Sequence, residues 1–249
     1  MTRSRLVWAA VLALLLVVNL VVSAPARLLG RVIPAEQLLL QGLTGTVWRG
    51  SASSVLLRLP QGYLQLGTVH WSLQPLSLLL LAPHLTLRSE WGNQTLSGEL
   101  VLRGQRDLDV YNLDAQLAAT LLGHIAPVAV DGMFELQLPS LQLRDGLPHS
   151  VNGRLVWQGA AWRSPQGLVP LGSYAMDVQQ AAGEKLQGQV ITLSGPLQAD
   201  GTVQLQARNY AVDILLAGAG AADPQLQQML SLMAVPEDAG YRISMKGDF

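Results

Sequence analysis

The sequence predicts a mainly β chain that follows a single N-terminal transmembrane helix. Three observations carry this. Apolar and polar residues alternate with a period of two along much of the chain. Asp-Gly pairs and other tight-turn signals punctuate those runs. Signals for long amphipathic helices are few.

The N-terminus comes first. Met1-Thr2-Arg3-Ser4-Arg5 is a short basic tail, and the 17 residues from Leu6 to Val22 contain no charge. At about 1.5 Å per residue this stretch rises about 26 Å, close to the ~30 Å hydrocarbon core once Ser23 and Ala24 are added. Residues 6–24 are therefore expected to be an uncleaved signal anchor, its anchoring residues Leu6, Trp8, Leu12, Leu16, Leu20 and Val22. The competing reading is a cleaved signal peptide. A cut after Ala24 would leave Pro25 next to the scissile bond, while a cut after Ala26 stays open. Residues 1–5 are expected in the cytoplasm and 25–249 outside it, because long downstream domains translocate largely regardless of their charge.

The remainder alternates. Leu85 and Leu87 interleave with Thr86 and Arg88, and Leu100 and Leu102 with Glu99 and Val101. Phe134, Leu136 and Leu138 oppose Glu135 and Gln137. Val203, Leu205 and Ala207 oppose Gln204, Gln206 and Arg208. Asp200-Gly201 is expected to form a type I′ hairpin, since Asp-Gly supplies the positive φ angles such a turn needs. Asp131-Gly132 and Asp145-Gly146 are read the same way. Short strands joined by tight turns describe an antiparallel meander, sandwich or barrel.

Three short helices are expected. Asp223-Pro224 supplies an N-cap and a preorganised first position, Leu226, Met229, Leu230 and Met233 then share a face, and Pro236 ends the run. Asp114 to Leu122 reads as a second, on the spacing of Leu113, Leu117 and Leu121. Pro75 to Leu81 reads as a brief helical turn.

Composition narrows the function. Lys plus Arg is 16 and Asp plus Glu is 17, so the net charge is −1 and charged residues are only 13% of 249. That balance offers no footprint for nucleic acid. Hydrophobic residues at 49% argue against disorder. The absence of Cys excludes disulfides, thiolate metal sites and Cys nucleophiles. The four His, at 70, 84, 124 and 149, have no helical ligand spacing. Gly218-Ala219-Gly220-Ala221-Ala222-Asp223 imitates a dinucleotide loop, but Asp223 would repel a pyrophosphate, so it is read as a helix cap. Asp107 and Asp109, two apart, would share a strand face and could form a metal or acid–base pair. With Arg103 and Arg106 nearby they are read as a solvated strand end. No catalytic, cofactor or metal residue is expected, and the chain is not read as an enzyme.

One pattern recurs. Gly45-Thr46-Val47-Trp48-Arg49-Gly50 and Gly153-Arg154-Leu155-Val156-Trp157-Gln158-Gly159 both set a Trp between glycines, and Gly67-Thr68-Val69-His70-Trp71 shares the first part. Glycine in a strand marks a bulge or close approach that a ring fills, so Gly45, Trp48, Gly50, Gly67, Trp71, Pro75, Trp157, Gly159 and Gly172 are read as structural. Two diverged β units, about 40–112 and 145–215, would also explain the recurrence.

Several ordered segments resemble the type II secretion system protein N family. They are Pro25-Ala26-Arg27-Leu28-Leu29 after the anchor, Gly42 to Gly50, Leu66 to Leu79, Val156-Trp157-Gln158-Gly159-Ala160, Leu171-Gly172-Ser173-Tyr174 and Gly195-Pro196-Leu197. The first two are also similar to the wider AsmA-like periplasmic β proteins, some of which are linked to lipid transport. The resemblance implies a strongly curved antiparallel sheet in the periplasm, held to the inner membrane. It implies a non-enzymatic role in moving folded proteins across the outer membrane, with other secretion components as partners. The alternative is a lipid-binding or lipid-transfer module. The resemblance carries no catalytic residue with it.

Overall fold

The computed structural model describes residues 8, 11–12, 15–16, 19–32, 38–59, 62–104, 106–124, 128–231, 234–237 and 240–248. Most of them lie in one curved, open antiparallel sheet. Its strands are β1 (Leu38–Gln41), β2 (Thr44–Gly45), β3 (Arg49–Leu59), β4 (Gly62–Leu73), β5 (His84–Trp91), β6 (Gln94–Leu102), β7 (Leu108–Ala118) and β8 (Val130–Arg144). They continue with β9 (Leu147–Ser164), β10 (Gly167–Gln180), β11 (Leu186–Ser194), β12 (Gln198–Gln206), β13 (Asn209–Ala217), β14 (Val235–Glu237) and β15 (Gly240–Asp248). From β3 to β13 each strand pairs with its neighbours in the chain. Outside that run, β1 and β2 pair with β3, β15 with β13, and β14 with the outer edge of β15. Of the architectures open at the sequence level, the meander is the one adopted.

Register explains why the alternation matters. Residues directly opposite across antiparallel strands share a face. The row Ala52–Val69–Ser89–Leu96–Ala115–Leu136–Leu155–Met176–Val190–Gly201–Ile214–Ile243 crosses from β3 to β15. Its one polar member, Ser89, is buried and donates its hydroxyl to the Leu66 carbonyl. The opposite face of β12 presents Gln198, Asp200, Thr202, Gln204 and Gln206, all exposed. Glutamine and threonine thus solvate the outer face, which is how the chain stays apolar inside with so few charges.

Short helices join or flank the strands. Helix α1 (Leu29–Val32) follows a 3₁₀ turn, and α2 (Pro75–Leu79) links β4 to β5. Helix α3 (Pro224–Leu230) lays Leu226 and Leu230, 1% and 2% exposed, against Ala160, Leu171, Tyr174, Ala199 and Leu216 from β9 to β13. Asp223 Oδ1 accepts the amides of Gln225 (2.8 Å) and Leu226 (3.2 Å), capping α3. Met229's side chain and all of Met233 lie outside the described residues.

Four expectations are corrected. Asp200-Gly201 is no hairpin; β12 runs through it, and the chain reverses instead at 195–197, where Gly195 has φ 124°. Gly201 is glycine because a Cβ there would run into the backbone of Asp213 and Ile214. Asp131-Gly132 likewise lies inside β8, at a bulge where Gly132 has φ 111°. Residues 114–118 are strand, and only a 3₁₀ helix over Ala119–His124 follows. A spacing of four fits both the helical and the two-residue period, and Leu113 and Leu117 in fact face Leu138 and Phe134 across β8. Pro236 sits in β14, beyond the end of α3 at Leu230. By contrast, Asp145-Gly146 forms the tight turn expected, with φ 51° and 77°, and Pro75 opens α2 as expected.

Of the residues assigned to the anchor, Trp8, Leu12, Leu16, Leu20 and Val22 are helical and exposed, and Leu6 lies outside the described residues. Among the described residues no helix is long and apolar enough to cross a membrane.

Candidate functional site

The glycine–tryptophan motifs fall at two places. In the first, β2 folds back on β3 through a turn in which the Thr46 amide donates to the Arg49 carbonyl (2.8 Å), with Gly45 opposite Gly50. Gly45 has φ 82°, a conformation disfavoured for other residues. The Trp48 indole donates to the Val21 carbonyl (2.7 Å), and the Val47 amide donates to Ala24 (2.9 Å). The motif therefore grips the end of the N-terminal helix. Trp71, opposite Gly50 on β4, donates to the Val47 carbonyl (3.0 Å), and a Cβ on Gly50 would strike its ring. Gly67, φ 63°, marks a bulge in β4 where it closes on Trp91 of β5.

The second place is the middle of the sheet. Trp157 donates to the Asp131 carbonyl (3.0 Å) and packs between Phe134 and Tyr174, with ring centroids 5.4 and 6.1 Å away. The Gly159 amide donates to Ser173 Oγ (3.1 Å). Gly172, φ 147°, approaches Ser194 and Gly195 of the next turn. The Tyr174 hydroxyl donates to the Leu197 carbonyl (2.8 Å), and burial pushes its phenol up to about 12. These hydrogen bonds tie neighbouring strands and turns together.

Asp109 is a correction. It is not a solvated strand end but 1% exposed, with Oδ2 accepting from Arg103 Nε (2.5 Å) and Oδ1 from Arg144 Nη1 (2.6 Å). Burial raises its pKa, and the hydrogen bonds and charges of Arg144 and Arg103 more than offset this, so the carboxyl titrates below its ordinary value. Asp107 does not join it: its Oδ1 accepts the Asp145 amide (3.0 Å) at the β8–β9 turn. Arg144 was invisible to local reading because it lies 35 residues from Asp109 and arrives only through β7–β8 pairing.

A pH prediction follows from the depressed pKa. The stabilisation from Asp109 is fully present above its unfolded pKa of 3.8 and is lost as pH falls through the lower folded value. Arg144→Met leaves the buried carboxylate with one cation and should cost about 1–3 kcal/mol at neutral pH. Its acid unfolding, followed by circular dichroism, should begin at higher pH than in the parent. Coincident acid transitions would show that the clamp is not felt.

Among the described residues no three His, Asp or Glu side chains are grouped to hold a metal. His84 Nε2 lies 3.1 Å from Glu99, His70 is exposed on β4, and the His124 side chain lies outside the described residues. Gly218 and Gly220 close on the Pro196–Leu197 backbone, leaving the dinucleotide-like segment to serve as packing and cap. Two surface features stand out among the described residues. The inner face holds an apolar cavity of about 280 Å³ lined chiefly by Leu57, Leu64, Leu66, Leu96, Leu117 and Leu121. The outer edge of β15 beyond Arg242 is left uncovered by β14.

The family model described as type II secretion system (T2SS), protein N, matches residues 36–244. The chain is 28% identical over 246 residues to the type II secretion system protein N of Vibrio cholerae, covering 93% of this chain and 94% of that protein. It is 28% identical to the protein of the same name from Aeromonas hydrophila, covering 89% of each, and 28% identical to that of Klebsiella pneumoniae, covering 90% and 93%. No solved structure gives a significant match.

Proposed function

This chain belongs to the type II secretion system protein N family, and we propose that it is a non-enzymatic inner-membrane component of that system, assisting export of folded periplasmic proteins across the outer membrane. Residues 1–5 lie in the cytoplasm, 6–24 span the bilayer and 25–249 stand in the periplasm. The observation that carries the reading is the family match over residues 36–244, together with relatives aligned along nearly their whole length. The open edge of β15 beyond Arg242 gives such a component a place to dock. Its partners are other components of the same system, docking at sheet edges.

The test is an in-frame deletion with complementation, scoring how a known exoprotein divides between periplasm and medium. Accumulation in the periplasm, reversed by the restored gene, is expected. Unchanged secretion would count against the role.

A second reading, a lipid-binding module, is favoured by the apolar cavity against β3 to β7. It predicts co-purifying lipid in native mass spectra of the chain. Protein masses free of lipid in every preparation would remove it.

A further inference from the structure

The link between β4 and β5 inverts the usual chemistry of a surface loop. Residues 74–83 carry no charge, and three of their leucines point outward: Leu76, Leu80 and Leu81 are 75%, 79% and 85% exposed. The one hydroxyl of the segment is turned in. Ser77 Oγ donates to the Gln74 carbonyl (2.6 Å) and accepts the His84 amide (2.8 Å). Leu81 is held at φ 54°, a region that residues with bulky side chains avoid, so the backbone is strained while its side chain stays outside. A water-exposed loop would place serine out and leucine in.

Its position supplies the partner. The tip stands beside the end of the N-terminal apolar helix. Val21, Val22, Trp48, Leu73, Pro75 and Leu76 line one cleft of about 570 Å³ between the two. The Leu73 amide donates to the Trp48 carbonyl (2.7 Å), and the Trp48 indole to Val21 (2.7 Å), so helix end and tip are fixed at a common level. Tryptophan beside a helix end is characteristic of the membrane–water boundary.

We propose that the leucine tip at α2 is a second membrane contact, seating Leu76, Leu80 and Leu81 in the outer leaflet of the same bilayer that residues 6–24 span. This rests on the reading of residues 6–24 as a span. The helix and the tip then hold the domain at two points, which sets the tilt of the sheet over the membrane as a single anchor does not. An interfacial element of this kind lies about 5–10 Å into the boundary between headgroups and acyl chains.

The chain has no native cysteine, so single-site labelling reads depth directly. The full chain, carrying Leu76→Cys or Leu80→Cys, is labelled with an environment-sensitive dye. It is then reconstituted in vesicles of phosphatidylethanolamine and phosphatidylglycerol with lipids spin-labelled high on the acyl chain. Leu12→Cys reports the span, and Gln204→Cys, exposed on the outer face of β12, reports water. The expected result is blue-shifted emission at 76 and 80, strongly quenched by the shallow spin label, with Gln204→Cys unquenched. Quenching of Leu12→Cys by deep labels with none at 76 and 80 would overturn the tip contact and leave the anchor standing. A blue shift at 76 and 80 without quenching would mean that protein, such as a second copy, covers the tip, which also overturns it. Absence of lipid quenching at all sites would overturn the span and the tip contact with it.

Discussion

Leu226→Ala is expected to destabilise the chain by about 2–5 kcal/mol, the range for truncating a buried leucine that leaves a cavity. Leu226 is 1% exposed and sits where α3 meets Leu171, Tyr174 and Leu216 on the sheet. The helix is only seven residues long. A helix so short is marginal in isolation and owes its existence to this packing. The loss should therefore fall towards the upper end of that range, because α3 lifts and uncovers the inner face beneath it. Thermal unfolding of the full chain in detergent measures this. Gln228→Ala, on the exposed side of the same helix, is the control and should change stability by no more than about 0.5 kcal/mol. Equal melting of the two variants would show that α3 is not held by its leucines.

Gly201→Asn is expected to cost at least about 3 kcal/mol, beyond the usual range for a surface substitution. It separates the two structures that Asp200-Gly201 can adopt. In a type I′ hairpin, Asn at this position is well tolerated, because its side chain accepts the left-handed conformation. In the strand, the new Cβ drives into the Asp213–Ile214 backbone and pushes β12 from β13. Gly146→Asn is the matched case at the true turn, φ 77° with open space around it, and should cost less than about 1 kcal/mol. Similar losses at the two sites would contradict the register of β12.

These two cases mark how far the sequence could be read. The period of two was legible because along strands such as β12 one face is shielded and the other is wet, so side chains alternate with their face. The turn dipeptides were legible only in part. Asp145-Gly146 turns and Asp200-Gly201 does not, since glycine answers two different needs, a positive φ and a close backbone approach, and its local sequence does not distinguish them. Leu113, Leu117 and Leu121 misled for a related reason: their spacing satisfies both periods, and the sheet settled the first two. Asp109 was found but misread. Its local neighbours, Arg103 and Arg106, suggested a solvated cluster, while the residue that helps bury it, Arg144, comes from the adjacent strand. The glycine–tryptophan spacing does not reveal the carbonyls of Val21, Val47 and Asp131 that the indoles bind, because those are set by tertiary placement.

The order of strand pairing has a consequence for how the molecule comes into being. From β4 to β12 every strand finds its partners immediately before and after it in the chain. Loop-closure entropy is then small for each added hairpin, and no strand waits for a distant segment before it can pair. A chain that emerges gradually through a narrow channel, amino end first, can thus lengthen its sheet one hairpin at a time. The sheet then grows at one edge only, whereas a Greek-key sandwich of equal size would hold several unpaired strands until its last ones arrived.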